Sequence, residues 1–345
     1  MSEKRKVKSE KSGRVGRRSF SLFALSFSLL LPACGGSPTG DPVRFTVPPG
    51  SGLSTVVDTL ASRDIVSSAT RFKLYARMRG ATRDIKPGIY EIRRGTEWGE
   101  ILDKLVSGDV IQVTLTVPEG WTSNQIAERI AKAFNVSVDS VETMFLDTAS
   151  ARRFGVPGPT LEGYLYPATY ELPITTRPAD IANVLVRRYK QVWTPAMRAR
   201  ADSLGMSERE VVTLASIVEK EAKQWSERDT IAAVYHNRLR IGMPLQADPT
   251  VQYALGEHQS RLLYSHIRDV RDHPYNTYTN RGLPPGPIAS PSEGTIEAVL
   301  APANVPFLYF VADPTGSHIF TRSLAEHNAA KRRVQRMQAS AGSGG

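Results

Sequence analysis

The sequence has one cysteine in 345 residues. That excludes a disulfide within the chain and any cysteine-based zinc cluster. The six histidines (236, 258, 266, 273, 318 and 327) fall at no metal-ligand spacing, and there is no HExxH motif. Neither a metal nor a cofactor is therefore expected. A glycine-rich loop ending in Lys is missing, which argues against phosphate chemistry, and no GxSxG context supports a serine nucleophile. The longest apolar run, Phe20 to Leu31, is well short of the roughly 20 residues a membrane-spanning helix needs. With 41% hydrophobic and 23% charged residues, wholesale disorder and a multi-pass membrane protein are both excluded. Positive charge is in excess, at +10. Eight basic residues against two acidic ones lie within the first 18 positions, so most of the excess is an N-terminal feature and no nucleic-acid partner is expected.

The basic stretch, the short apolar run and Leu31-Pro32-Ala33-Cys34 together read as an export signal over 1–33. The ending resembles a lipobox, in which the cysteine is acylated, and Cys34 is the candidate lipidation site. Arg17-Arg18-Ser19-Phe20 also resembles the core of a twin-arginine signal. The competing reading is a short uncleaved signal anchor. Either one places the body outside the cytoplasm and attached to the outward face of the membrane. Residues 34–42 form a Gly/Pro/Ser-rich linker, and 338–345 read as a flexible tail.

A weak internal repeat follows. Val47-Pro-Pro-Gly50, Ile92-Arg-Arg-Gly95 and Val117-Pro-Glu-Gly120 each close an alternating, strand-like run. Each glycine is followed by an apolar pair four residues apart: Val56 and Leu60, Ile101 and Leu105, Ile126 and Ile130. That spacing marks one face of a helix, with the glycine supplying the tight turn. The first two units, 43–108, resemble a LysM-type glycan-binding module; a spacer role is the alternative. From about 120 to 205 the pattern is mostly helical. Leu161 to Glu171 then brings together Tyr164, Tyr166, Tyr170, Glu162 and Glu171. The tyrosines fit either a core or a wall on which pyranose rings stack.

Ser207 and Glu210 form a capping box ahead of a dense apolar helix. With Val211 at 0° and about 100° per residue, Glu219 falls near 80°, among the apolar positions, while Lys220 faces outward near 180°. Glu221 falls near 280°, on the opposite flank. An acid among apolar neighbours is expected to hold its proton toward neutrality, as a general acid for glycosidic cleavage requires. The alternative is a helix-flank carboxylate paired with an arginine. Downstream, loops interleave amides, hydroxyls and aromatics, and five prolines between 284 and 302 stiffen the backbone, which suits a sugar cleft.

Ala215-Ser-Ile-Val-Glu219-Lys-Glu221, Asn237 to Thr250, Tyr275-Asn-Thr-Tyr278, Gly282 to Ile288, Leu308 to Asp313 and the His318/His327-Asn328 tail carry a resemblance to the endolytic murein transglycosylase family. It covers about 43–337. It implies an α+β fold, with a LysM-like subdomain at 43–108 followed by a larger mixed α+β catalytic domain at 109–337. It implies that Glu219 is the catalytic acid/base and that peptidoglycan glycan strands are the substrate, cut within the strand to leave 1,6-anhydro ends. Gln246, Asp248, Asn276 and Tyr278 are the candidates for holding the sugar, with Glu162, Glu221, Tyr164 and Tyr166 behind them. A peptidoglycan synthase is the implied partner. The family pattern opens on a transmembrane helix where this chain has its short signal. Two rivals stand: a glycoside hydrolase with Asp248 or Glu162 as second carboxylate, and a wall-binding scaffold without catalysis.

Overall fold

A computed structural model describes residues 40–257 and 259–342; the export signal, Cys34 and most of the linker lie outside the described residues. The first unit runs β1 (Pro42–Val47), α1 (Leu53–Ser62), α2 (Ala69–Met78) and β2 (Gly88–Arg93). β2 returns antiparallel to β1 with Phe45 opposite Tyr90, and the two rings stack at 5.6 Å. α3 (Trp98–Ser107) closes this unit over a core that includes Val56, Leu60, Ile92, Ile101 and Leu105.

The third predicted strand, β3 (Gln112–Val117), pairs with neither of the first two. It leads through α4 (Ser123–Phe134), α5 (Val138–Leu146) and α6 (Thr148–Phe154) to β4 (Ala168–Pro173), its antiparallel partner. Ile111 links the two sheets: its N–H donates to Ile89 and its carbonyl accepts from Ile174. Gly50, Gly95 and Gly120 all have positive φ, at 78°, 82° and 69°, so the repeated turn is real and needs glycine.

The rest is mainly helical: α7 (Pro178–Val192), α8 (Pro195–Ser203), α9 (Glu208–Glu221), α10 (Arg228–Arg240), α11 (Asp248–Leu255), α12 (Tyr264–Asp269) and α13 (Glu293–Leu300). The hairpin of β5 (Tyr309–Ala312) and β6 (His318–Thr321) follows, then α14 (Leu324–Gly342), which continues past position 337, where composition suggests a tail. α9 is the centre of this body. The expected capping box is present, and Val211 to Val218 are all buried. It packs against α8, α10, α11 and α13, so its last turn is held from several sides. The whole is a mixed α+β fold with three two-stranded sheets among the described residues. No helix of these residues is long and apolar enough to cross a membrane.

Candidate active site

Glu219 lies in the last turn of α9, with its side chain only 6% exposed. Its surroundings are polar rather than the apolar pocket expected from the helical wheel. Arg228, the first residue of α10, donates from Nη2 to Oε1 at 2.8 Å. The Ser292 N–H and hydroxyl donate to Oε2 at 3.0 and 2.7 Å, and the Thr295 hydroxyl donates to the same oxygen. Ser292 is the N-cap of α13, so the carboxylate sits where that helix offers free N–H groups. Burial and pairing with an arginine, alternatives on the wheel, are both true of this residue.

The turn before α4 covers the other side. A Cβ on Gly120 would stand 3.6 Å from Glu219 Cγ, in ordinary van der Waals contact, so the turn packs beside this carboxylate. Exposed Lys220 donates to the Gly120 carbonyl at 3.2 Å. Glu119 in the same turn is half exposed and lies 4.0 Å from Arg228. Burial and the nearby Glu219 charge push the Glu119 carboxyl up, while Arg228 pulls it back.

Glu221 faces the other flank, as the wheel predicts. It accepts from the Tyr235 hydroxyl at 3.0 Å, and burial followed by the Asp248 charge pushes its carboxyl up to about 7. Asp248 at the start of α11 accepts from the Tyr278 hydroxyl. Glu221, Asp248 and Tyr278 thus form a second acidic cluster beside α9. Gln246 is exposed nearby, held at φ 47° while its N–H donates to the Thr277 carbonyl.

Four candidates lie in structural positions instead. Asn276 is fully buried and spent on backbone: its amide donates to the Ile267 and Val270 carbonyls, and its oxygen accepts from the Tyr278 N–H. Glu162 is 2% exposed and caps α4, accepting from the Ser123 N–H and hydroxyl; burial pushes it up to about 7. Tyr164 is wholly inside the core, edge-on to Tyr189 at 5.1 Å, so it offers no face to a sugar. Tyr166 is nearly buried under Arg188 and donates to Glu293 at 3.4 Å, and Tyr170 donates to the Tyr166 carbonyl. All three tyrosines are part of the buried core. His318 pairs with Glu227 at 2.7 Å, and His327 stacks on Tyr309.

The proline-rich loop lines a cavity of about 980 Å³ with Thr213, His236 and Asn237, on the N-terminal half of α9 and without Glu219. The residues that hold Glu219 were not read from the sequence. Arg228, Ser292 and Thr295 lie 9, 73 and 76 positions from it in the chain. One signal was available for the last two: a serine three residues before a threonine at a helix start.

The YceG-like family model matches residues 45–333. A protein of Bacillus subtilis (strain 168), named endolytic murein transglycosylase, is 35% identical over 90% of this chain and 89% of its own length. A protein of Streptococcus pneumoniae (strain D39) with the same name is 30% identical over 83% of this chain, which spans 58% of that relative. The crystal structure of a yceG-like protein from Listeria monocytogenes superposes with a TM-score of 0.58 at 33% identity, over 85% of this chain and all of the other. A match from one end of the folded body to the other, with relatives this similar, means that the chain belongs to the YceG-like family.

Proposed function

We propose that this protein is a peptidoglycan lytic transglycosylase, a carbon–oxygen lyase that cuts the MurNAc-β-1,4-GlcNAc bond within glycan strands. The observation that carries the reading is Glu219, a nearly buried carboxylate fixed by four hydrogen bonds at the position where the family resemblance puts the acid. Oε2 accepts three of those bonds and Oε1 only that from Arg228. A carboxylate oxygen has two lone pairs, so Oε1 is the oxygen with room for a proton. In this mechanism Glu219 delivers a proton to the leaving glycosidic oxygen as the C1–O bond breaks. The MurNAc acetamido group stabilises the developing cation. The C6 hydroxyl then attacks C1 and gives up its own proton to Glu219, leaving a 1,6-anhydro end. Attack within one held sugar draws much of its rate from proximity.

Around that centre, Asp248, Tyr278, Gln246 and Glu221 are the side chains we assign to substrate positioning. Residues 43–108, with their strand–helix–helix–strand order, serve as a LysM-like glycan-binding subdomain ahead of a catalytic domain over 109–337. The chain is exported and attached to the outer face of the cytoplasmic membrane through acylated Cys34. There it meets nascent strands beside a synthase and ends their elongation.

Glu119 supports a second reading. It stands across Arg228 from Glu219, and a second carboxylate is what a hydrolase uses to activate water. Mass spectrometry of digested glycan strands separates the readings. Anhydro ends are expected, reducing ends would mean hydrolysis, and no new ends would mean a wall-binding scaffold.

A further inference from the structure

We propose that Trp225, Arg228 and Gly294 form a subsite for the N-acetyl group of an amino sugar, immediately beside Glu219. Arg228 is 6% exposed, yet only its Nη2 has a partner; Nε and Nη1 are buried and donate to nothing. Buried guanidinium N–H groups left idle are costly, and an acceptor that met them would recover that cost. The guanidinium carbon lies 3.5 Å over the ring of Trp225, a residue 65% exposed on a short turn between α9 and α10. Both residues line a hollow of about 380 Å³, together with Ser226, Asp229, Gly294 and Ala298. That is within the range of small-ligand sites, about 300–1,000 Å³. Gly294 keeps it open: a Cβ there would already be in contact with Arg228 Nη1 at 3.7 Å and Trp225 at 3.8 Å. Gly294 also falls between Ser292 and Thr295, the two residues that donate to Glu219, so the hollow adjoins the acid.

Charge selects the ligand. The single positive charge of Arg228 already faces Glu219 at 2.8 Å and Glu119 at 4.0 Å, and Asp229 stands at the rim. A further anion would meet net negative charge. The idle N–H groups therefore suit a neutral acceptor, an amide carbonyl. Ala298 offers the acetyl methyl an apolar neighbour, and the open indole surface packs against the C–H face of a pyranose. The inference rests on the reading of an N-acetylated glycan as substrate.

Isothermal titration calorimetry of the whole exported body with the N-acetylglucosamine tetramer and with cellotetraose tests it. Cellotetraose has the same β-1,4 linkage without acetamido groups. The acetylated tetramer is expected to bind at least tenfold more tightly. Gly294→Leu, which fills the hollow at a helical position, should abolish that preference, and Trp225→Ala, which removes the plate that serves both sugars, should weaken both, each leaving the circular dichroism spectrum unchanged. Equal affinity for the two sugars, binding of neither, a preference that survives Gly294→Leu, or undiminished binding by Trp225→Ala would overturn the proposal. If wall digestion yields no anhydro ends but the preference and its loss are seen, the subsite stands and only the catalytic reading fails.

Discussion

Glu162→Gln should make the protein's stability depend less on pH, in a direction set by burial. Glu162 is 2% exposed, and burial raises its carboxyl from the ordinary 4.5 to about 7. The folded chain therefore keeps a proton that the unfolded chain releases near 4.5. This contribution is complete below about pH 4.5 and is lost as pH rises through 7. At about 1.4 kcal/mol per pH unit the full span is about 3 kcal/mol, most of it between pH 5 and pH 8. Gln stays neutral throughout and keeps an oxygen for the Ser123 N–H. His236 and His327, lowered mainly by burial, lose stability as pH falls below the ordinary histidine range, but they do so equally in both proteins. Urea denaturation at pH 5, 6, 7 and 8 gives the difference between variant and wild type. It should move in the variant's favour by about 2–3 kcal/mol from pH 5 to pH 8. A difference that does not change with pH would refute the reasoning.

Gly120→Ala should lower stability by about 1–2 kcal/mol, because φ is 69° there; thermal melting reads it. Thr295→Val removes one hydroxyl donor from Glu219 Oε2 and should slow cleavage about ten- to a hundredfold with little change in melting temperature. Deleting residues 43–108 should weaken sedimentation with purified cell wall while slow cleavage persists; equal wall binding would return that region to a spacer. Cys34→Ser should release the chain from membranes or stall its processing, and salt-resistant attachment in that variant would indicate a signal anchor.

Local pattern made the front of the molecule legible. The three glycine turns and their i, i+4 apolar pairs lie where the spacing puts them, because each depends on a few neighbouring residues. Strand pairing was not legible: β3 joins β4 across more than 50 residues, and nothing local marks Ala168–Pro173 as its partner. Position on α9 put Glu219 and Glu221 on opposite flanks of the helix, since that follows from helix geometry alone. The chemistry around Glu219 was hidden. Arg228 comes from the next helix, Ser292 and Thr295 from α13, and Glu119 from a turn 100 residues earlier that the repeat had marked only as structure. The burial of aromatic and amide residues was hidden for the opposite reason. Tyr164 and Asn276 have the chemistry of sugar contacts, but the fold spends one on the core and the other on backbone carbonyls.

The central claim is that Glu219 moves the proton. Glu219→Gln keeps the shape and removes that capacity, at the cost of leaving the buried charge of Arg228 less well matched, so folding is checked by circular dichroism on the same sample. Mass spectrometry of glycan strands digested by wild type, Glu219→Gln and Glu221→Gln then counts 1,6-anhydro ends. General acid–base catalysis contributes about 10²–10⁴-fold, and a folded Glu219→Gln protein should lose at least that much while Glu221→Gln stays far closer to wild type. Near-normal anhydro-end formation by Glu219→Gln, with Glu221→Gln inactive, would contradict the account and move the acid to the Glu221–Asp248 cluster.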